Sequence, residues 1–395
     1  DPEHVVSRGY ACVKGTRWAS LQNSPDRLLH PQKRVGDAFE RVSWDQAISE
    51  IAQKVAQVVR DDGANAFGNF VGSAGGANLL APMFRGALHA GLGSTRMYGT
   101  GTCDTMNKFR VNADMYGSVM RLAHPDVDHT EFMMVLGANP AVSGNTLFHL
   151  PRAKERYAGI VKRGGRVVFV NPRRVETAAA GEHLFIRPDT DLFFLAAFAN
   201  ELIRQDAVSH ERIERFMKGF DALREAVDPW TPERQAEVTG VPAETLRDLV
   251  RSHAAARGAA LYMATGVNQG RSGTPCFWLL EAINAISGNL DAKGGTLMGQ
   301  GLFDMAAQVA DDPMMQIHSD RADGLPTVSG QQPAGMLAED IEKGDVKALI
   351  VEASNPLLAC SNPNGRLDRA LRQLELLVSI DLFQNEVGDL AHYVL

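Results

Sequence analysis

Two stretches far apart in this chain end in the same way. The apolar run Phe132–Leu136 gives onto Gly137, Ala138, Asn139 and Pro140, and the run Ala348–Val351 gives onto Glu352, Ala353, Ser354, Asn355 and Pro356. Each is followed by another short apolar run ending in a polar turn: Arg166–Val170 into Asn171, Pro172, Arg173 and Arg174, and Leu374–Val378 into Ser379, Ile380 and Asp381. Aliphatic and β-branched runs of strand length, bounded by turn residues, are the pattern of parallel strands buried on both faces. Ligands of open α/β sheets sit beyond the carboxyl ends of such strands. Two equivalent sets of strand ends therefore predict two equivalent pockets of nucleotide type.

The rest of the chain fits this frame. Residues 1–43 read as irregular. Ser43 and Gln46 look like an N-cap and its partner, opening an amphipathic helix to about Arg60. A strand at 66–71 runs into a small-residue loop at 72–78 and a helix to about Ala90. Strands at 132–136, 166–170 and 183–187 alternate with helices near 150–163 and 191–204. A mainly helical, charged segment at 206–257 precedes a strand at 260–264 and a helix at 276–288, and 299–335 reads as a long connection. The last strands are expected at 348–351 and 376–380. Alternating β and α elements indicate parallel sheets.

Bulk properties exclude several classes. A length of 395 residues allows two or three domains at roughly 150 residues each. A net charge of -7 gives no reason to expect nucleic acid or an anionic membrane as partner. No apolar run approaches the roughly 20 residues of a membrane span. Four cysteines, Cys12, Cys103, Cys276 and Cys360, are too few and too scattered for a disulfide framework. The chain opens on Asp1 without a signal peptide and closes on the apolar Ala391–Leu395, so it reads as cut at both ends. The cytoplasm is the expected compartment, with the periplasm as the alternative.

Individual motifs leave choices open. Cys12 precedes Lys14 by two residues, and a nearby cation favours the metal-ligating thiolate; a turn cysteine is the other reading. Cys103 lies in the Gly/Thr-rich loop 99–105, where it could reach a metal with Asp104 as a harder oxygen donor beside it, or sit half-buried in the loop. Arg173 and Arg174 at a strand's carboxyl end suit phosphates, or form a solvated pair. Asp189 is either a plain N-cap or an acceptor for a guanine's donors. Gly266, Asn268 and Gln269 follow a strand and suit a pterin or base edge. Cys276 and Cys360 read as structural. The histidines show no zinc-hydrolase spacing, and the loop at 72–76 is neither a P-loop nor a dinucleotide fingerprint, which leaves a plain NAD dehydrogenase without support.

In order along the chain, Cys12–Gly15, Pro25–Leu28, Val42–Ala47, Leu136–Pro140, Asn171–Arg174, Arg187–Asp191, Ser287–Asn289 and Ser354–Pro356 resemble the molybdopterin oxidoreductases of the dimethyl sulfoxide reductase family. These include formate dehydrogenases and nitrate reductases. The resemblance implies a bis(molybdopterin guanine dinucleotide) cofactor holding molybdenum or tungsten. Its two dinucleotides would account for the duplicated strand ends. By this similarity Cys12 is a ligand of a [4Fe–4S] cluster whose other three cysteines lie outside this chain, and Lys14 bridges cluster and pterin. Cys103 falls where the family supplies its metal ligand. The cofactor-binding set is Ser73, Asn78, Gly137, Asn139, Pro140, Asn171, Arg173, Arg174, Asp189, Asp191, Gly266, Asn268, Gln269, Asn355, Pro356 and Asp381. Formate dehydrogenases of this kind carry His directly after the metal ligand, so Asp104 in that place argues against formate.

The expected fold is α/β, with two Rossmann-like doubly wound domains of mainly parallel sheet related by pseudo-two-fold duplication. Residues 1–43 would be a remnant of an iron–sulfur domain, 44–99 with 300–395 one α/β domain and 100–299 the other. The expected function is two-electron redox or oxygen-atom transfer on a small-molecule substrate, with electrons relayed through the cluster to a partner protein or subunit. A cofactor-free scaffold subunit of a respiratory complex is the alternative.

Overall fold

The computed structural model describes residues 1–395 apart from 79, 146, 149, 300, 313 and 314, and apart from the side chains of 76 and 77. The strands in chain order are β1 (Gln32–Val35), β2 (Ala38–Arg41), β3 (Phe67–Val71), β4 (Arg96–Gly99), β5 (Ala123–Pro125), β6 (Phe132–Leu136) and β7 (Arg166–Asn171). They continue with β8 (Glu182–Phe185), β9 (Ala259–Met263), β10 (Thr296–Met298), β11 (Ala348–Glu352), β12 (Leu376–Ile380) and β13 (Tyr393–Val394). The chain forms two compact units: a mid-chain unit of 1–17 with 107–310, and a flanking unit of 18–106 with 311–395.

The mid-chain unit is built on a parallel sheet in the order β8-β7-β6-β9. Strand residues alternate between faces, and here both faces are dry. Phe132, Met134 and Leu136 of β6 pack with Phe194, Phe198, Leu249 and Ile283 from the helices Asp191–Arg204, Ala243–Ala255 and Gly273–Ile286. Met133 and Val135 point the other way, into a cluster with Tyr157 and Ile160 of the helix Ala153–Lys162. A strand that must bury both faces has no polar position to spare, which is why β6 reads as an unbroken apolar run. β5 and β10 form a separate antiparallel pair.

The flanking unit carries the order β2-β1-β13-β12-β11-β3-β4. The run from β13 to β4 is parallel, and the β1–β2 hairpin extends it antiparallel at the β13 edge. Its sheet is again covered twice. Phe70, Leu349, Val351 and Leu377 pack on Leu337, Ile341 and Leu371, while Phe67, Ala348, Leu376 and Val378 pack on Ala47, Val55 and Val58 of the helix Trp44–Asp62. That helix starts as the sequence predicts, with the Ser43 hydroxyl accepting from the Gln46 N–H at 3.1 Å.

Several expectations need adjustment. Residues 72–78 hold a one-turn helix, Ser73–Ala77, instead of a plain loop. Residues 32–41, within the stretch read as irregular, form the β1–β2 hairpin. The stretch 299–335 is less featureless than expected, with short bridges at His318–Thr327 and Val328–Gln331. Among the described residues no helix is long and apolar enough to cross a membrane.

One buried carboxyl yields a test of the fold. Glu281, on the helix Gly273–Ile286, accepts from the Tyr116 hydroxyl at 2.7 Å. Burial pushes its pKa up to about 7, against the opposing pull of Tyr116 and of the Lys108 charge. The folded state therefore holds a proton that the unfolded chain releases at its ordinary value of 4.5. Stability should fall as pH rises from that value through about 7, by roughly 3 kcal/mol in all at 1.36 kcal/mol per unit. Glu281→Gln should flatten this slope in urea-unfolding midpoints measured across pH. Parallel slopes for the variant and the parent would contradict the assignment.

Candidate functional site

The two parallel sheets present matching edges. In the mid-chain unit, β6 leaves the sheet through Gly137, whose φ of +57° lies in the left-handed region. In the flanking unit, β11 leaves through Ala353, at φ +47°. Counting on, Asn139 and Asn355 stand at equivalent places with nearly the same backbone, φ -132°, ψ 76° and φ -124°, ψ 83°. Each caps a one-turn helix that begins with proline, Pro140–Ser143 and Pro356–Ala359. Each Nδ2 donates to a glutamate of its own unit, Glu176 and Glu386 respectively.

Glycines let neighbouring loops close over these edges. A Cβ on Gly137 would lie 2.6 Å from the Val267 nitrogen, and one on Gly266 2.7 Å from the Gly137 oxygen. A Cβ on Gly72, just beyond β3, would fall 2.0 Å from the Ala353 oxygen. No side chain fits at such distances, so both edges are shaped by backbone approaching backbone.

Around the mid-chain edge the structure gathers most of the residues expected from the sequence. Asn171, the last residue of β7, is buried and donates to the Ala138 oxygen at 3.4 Å. Arg173 and Arg174 follow it exposed, with Arg173 3.7 Å from Glu176. Asp189 lies beyond β8 at φ +62° and accepts from the Arg271 N–H at 3.0 Å. Burial pushes Asp191 up to about 6, with the Asp189 charge adding to the effect. Asn268 is buried, and its Nδ2 has no partner; Gln269 beside it is exposed. Asn139 is tied more tightly than its sequence suggests, since its Oδ1 also accepts from the Thr177 hydroxyl at 2.7 Å.

Cys12 and Lys14 belong to the same unit. Lys14 Nζ lies 3.5 Å from the Ser143 oxygen, at the end of the helix that follows β6. Cys12 is half-buried. The Gly15 backbone N–H lowers its pKa, with Lys14 adding to the shift. Cys276, by contrast, is buried and its thiol is pushed up by desolvation. In the cofactor-free chain a thiol reagent should label Cys12 at least about tenfold faster than Cys276, because thiolate is the reacting form. Equal, slow labelling under native conditions would contradict this ordering.

In the flanking unit, Ser73 beyond β3, Cys103 beyond β4, Asn355 and Pro356 beyond β11, and Asp381 beyond β12 all come to one edge of one parallel sheet. Burial raises the pKa of Asp381, which accepts from the Leu382 N–H at 2.6 Å and from Asn385 at 3.0 Å. Asn355 Oδ1 is buried without a partner. Asn78 acts as a cap, its Oδ1 accepting from the N–H groups of Leu80 and Ala81 at 3.0 and 3.2 Å.

Cys103 sits in the one-turn helix Gly101–Asp104. The Thr102 hydroxyl pins that turn, donating to the Gly99 oxygen at 2.9 Å and accepting from the Ala334 N–H at 3.0 Å. Asp104 accepts from the Thr105 hydroxyl at 2.9 Å. The Cys103 sulfur is 3.7 Å from that of Cys360, which lowers its pKa, while burial and the Asp104 charge raise it.

Sequence reasoning read Cys360 as structural and did not single out Arg85. Arg85 pairs with Glu352, the last residue of β11, with side chains only 11% and 14% exposed. An arginine four places after Ala81 carries no visible signal of that partner. A cleft of about 710 Å³ bordered by Met115, Phe216 and Trp278 takes in none of the strand-end residues.

The donor set suits a large, polar, anionic cofactor. Unpartnered amide atoms on Asn268 and Asn355 are buried at the two edges, and buried polar atoms without partners mark places where a ligand supplies the missing bond. At the mid-chain edge the exposed Arg173 and Arg174 suit phosphates, and the half-buried thiols Cys12 and Cys103 suit soft metals.

Comparison with known proteins agrees. Formate dehydrogenase H of Escherichia coli (strain K12) is 24% identical over 420 residues, covering 99% of this chain and 57% of that protein. The alpha subunit of an F420-dependent formate dehydrogenase from Methanococcus maripaludis is 26% identical over 414 residues, covering 99% and 59%. The assimilatory nitrate reductase catalytic subunit of Bacillus subtilis (strain 168) is 26% identical over 430 residues, covering 100% and 57%. The chain thus spans somewhat more than half the length of these curated relatives. Acetylene hydratase from Pelobacter acetylenicus superposes with a TM-score of 0.80 over 98% of this chain and 57% of that one, at 20% identity, a likeness of fold. Residues 27–395 match the molybdopterin oxidoreductase family as a whole, and the chain belongs to that family.

Proposed function

We propose that this chain is the cofactor-binding part of a molybdenum or tungsten oxidoreductase acting on a small substrate, with one pterin guanine dinucleotide seated at each sheet edge. The observation that carries the reading is the equivalence of the Asn139 and Asn355 loops, matched in backbone, proline and glutamate partner. The strand orders β8-β7-β6-β9 and β13-β12-β11-β3 run in parallel, which supports a duplicated ancestry for the two sheets.

When bound, the metal–pterin group supplies two-electron redox chemistry, and the protein orients and tunes it. At the mid-chain edge Arg173 and Arg174 would hold phosphate oxygens, Asp189 would accept from a guanine's N–H donors, and Asn268 would offer its unpartnered Nδ2. At the flanking edge Asn355 would offer its unpartnered Oδ1 and Asp381 would take the part of Asp189, with Ser73 contributing to phosphate binding. Cys103 would be the protein's ligand to the metal, a soft thiolate on the turn that Thr102 pins. Asp104, its neighbour in sequence, would set the local charge toward the substrate. Cys12 would be a ligand of a [4Fe–4S] cluster, and Lys14, which reaches the loop after β6, would lie between that cluster and the pterin. A bound cluster would supply electron exchange with a partner protein or subunit.

Purified full-length protein should reduce or oxidise a viologen-type dye in the presence of a small oxyanion or C1 substrate, and tungstate or molybdate in the growth medium should control that activity. A full-length protein free of metal and inert toward every such substrate would favour the scaffold alternative. Asp104→Asn should shift the substrate KM and the pH profile of kcat/KM more than it alters metal content; loss of metal instead would move the ligand role to the carboxylate.

A further inference from the structure

One pair of side chains in these loops that the proposed cofactor site leaves unexplained is Cys103 with Cys360. The two residues are far apart in sequence, yet their sulfurs are 3.7 Å apart at the edge of one sheet. Both are half-buried, neither sealed in the core nor fully in water. Cys360 closes the one-turn helix Pro356–Ala359 and is followed by the exposed Ser361. Cys103 lies in the one-turn helix Gly101–Asp104. Closing the 3.7 Å gap to a bond of about 2.0 Å calls for rotation about the two Cα–Cβ bonds, with each sulfur borne at a one-turn helix.

We propose that Cys103 and Cys360 form a reversible disulfide in the cofactor-free protein, and that this bond is a redox lock on the metal-ligand loop. The inference about bond formation rests only on the pair's geometry; its meaning as a lock rests on the reading of Cys103 as the metal ligand. The oxidant is a peroxide. Cys103 sulfur attacks one peroxide oxygen, the O–O bond breaks, and a sulfenic acid and one water result. Cys360 sulfur then attacks the sulfenic sulfur, the S–O bond breaks, and hydroxide leaves with the Cys360 proton as a second water. Two thiols lose two electrons and two protons, and peroxide gains them. A dithiol reductant reverses the change.

The neighbour matters because a sulfenic acid without a resolving thiol is open to further oxidation to sulfinic acid, which is not readily reversed. A metal-ligand cysteine waiting for its cofactor is exposed to that loss. With Cys360 in contact, oxidation stops at the disulfide, and reduction returns the thiol. The disulfide and a metal–thiolate bond both use the Cys103 sulfur, so an oxidised loop cannot accept the metal until it is reduced.

The experiment uses cofactor-free full-length protein exposed to a slight excess of hydrogen peroxide under native conditions, alkylated, digested without reductant and analysed by mass spectrometry. Most of the Cys103 peptide should appear joined to the Cys360 peptide, two hydrogen atoms lighter than the sum of the pair, and dithiothreitol should restore both thiols. In Cys360→Ser the joined peptide disappears and Cys103 is recovered mainly as sulfinic acid that dithiothreitol does not reverse. Recovery of Cys103 as free thiol, or as sulfinic acid in the parent protein, would overturn the proposal. Metal content of Cys103→Ser separates this outcome from failure of the ligand assignment: a disulfide that forms in a protein whose metal does not depend on Cys103 keeps the bond and removes its meaning as a lock.

Discussion

Replacing Cys103 by Ser in the full-length enzyme is expected to lower turnover by at least about 100-fold while leaving pterin content unchanged. Substituting a residue that merely supports a metal ligand typically costs 10–100-fold, and Cys103 is proposed as the ligand itself. The substitution keeps the local backbone. The turn is fixed by the Cys103 N–H to the Thr100 oxygen at 3.0 Å and the Thr105 N–H to the Gly101 oxygen at 2.8 Å, and neither bond involves the sulfur. A serine hydroxyl stays protonated at neutral pH and is a harder donor than thiolate, so it should hold a sulfur-ligated metal poorly. Pterin binding is proposed to rest on the strand-end loops, where Gly72, Gly137 and Gly266 allow backbone to approach backbone. Full activity in Cys103→Ser would sink the assignment.

Arg321→Ala should cost the flanking unit about 3–5 kcal/mol, the range for stranding one partner of a buried ion pair. Arg321 and Asp340 have side chains only 4% and 2% exposed, and the guanidinium meets both carboxylate oxygens, at 2.7 and 2.9 Å. The Tyr98 hydroxyl adds a third bond to Asp340 at 2.6 Å. Loss of Arg321 leaves that buried carboxylate with the Tyr98 hydroxyl and, at 4.0 Å, the Arg96 guanidinium, which offset only part of the lost pairing. For a unit of this size the melting temperature should drop by roughly 10 °C. Arg321→Met combined with Asp340→Leu should recover much of the loss, since replacing both partners by apolar groups is often neutral. An unchanged melting temperature in Arg321→Ala would show that water reaches the pair.

Much of the fold is legible in the sequence because it is written in local patterns. β6 and β11 declare themselves as apolar runs, and the helix Asp191–Arg204 has the predicted bounds. The β1–β2 hairpin was missed although its signal is present: Gly36 and Asp37 form a two-residue turn between Val35 and Ala38, with Gly36 at φ +62°. The polar residues Gln32, Lys33 and Arg34 hid it, as suits a partly exposed extension of the sheet. β4 was missed because a four-residue strand has too little length to show a period.

The candidate site divides along the same line. Asn139, Asn355, Asp189 and Asp381 could be found from strand-end position alone. The Cys103–Cys360 contact, the Arg85–Glu352 pair and the Arg321–Asp340 pair depend on segments brought together only by folding. Their charges and thiols are visible in the sequence, but their partners are not. Lys14 is intermediate: its spacing from Cys12 is local, whereas its approach to the Ser143 oxygen follows from how 1–17 folds onto the mid-chain unit.

Each of the two strand edges is proposed to hold one pterin guanine dinucleotide. The direct test is the molar ratio of guanine dinucleotide pterin to metal in purified full-length protein, by mass spectrometry of the released nucleotide and elemental analysis of molybdenum and tungsten. Two pterin dinucleotides per metal atom is the predicted result, falling toward one when Asp189→Ala or Asp381→Ala weakens a single edge. A ratio of one in the unaltered protein, or metal without pterin, would contradict the account.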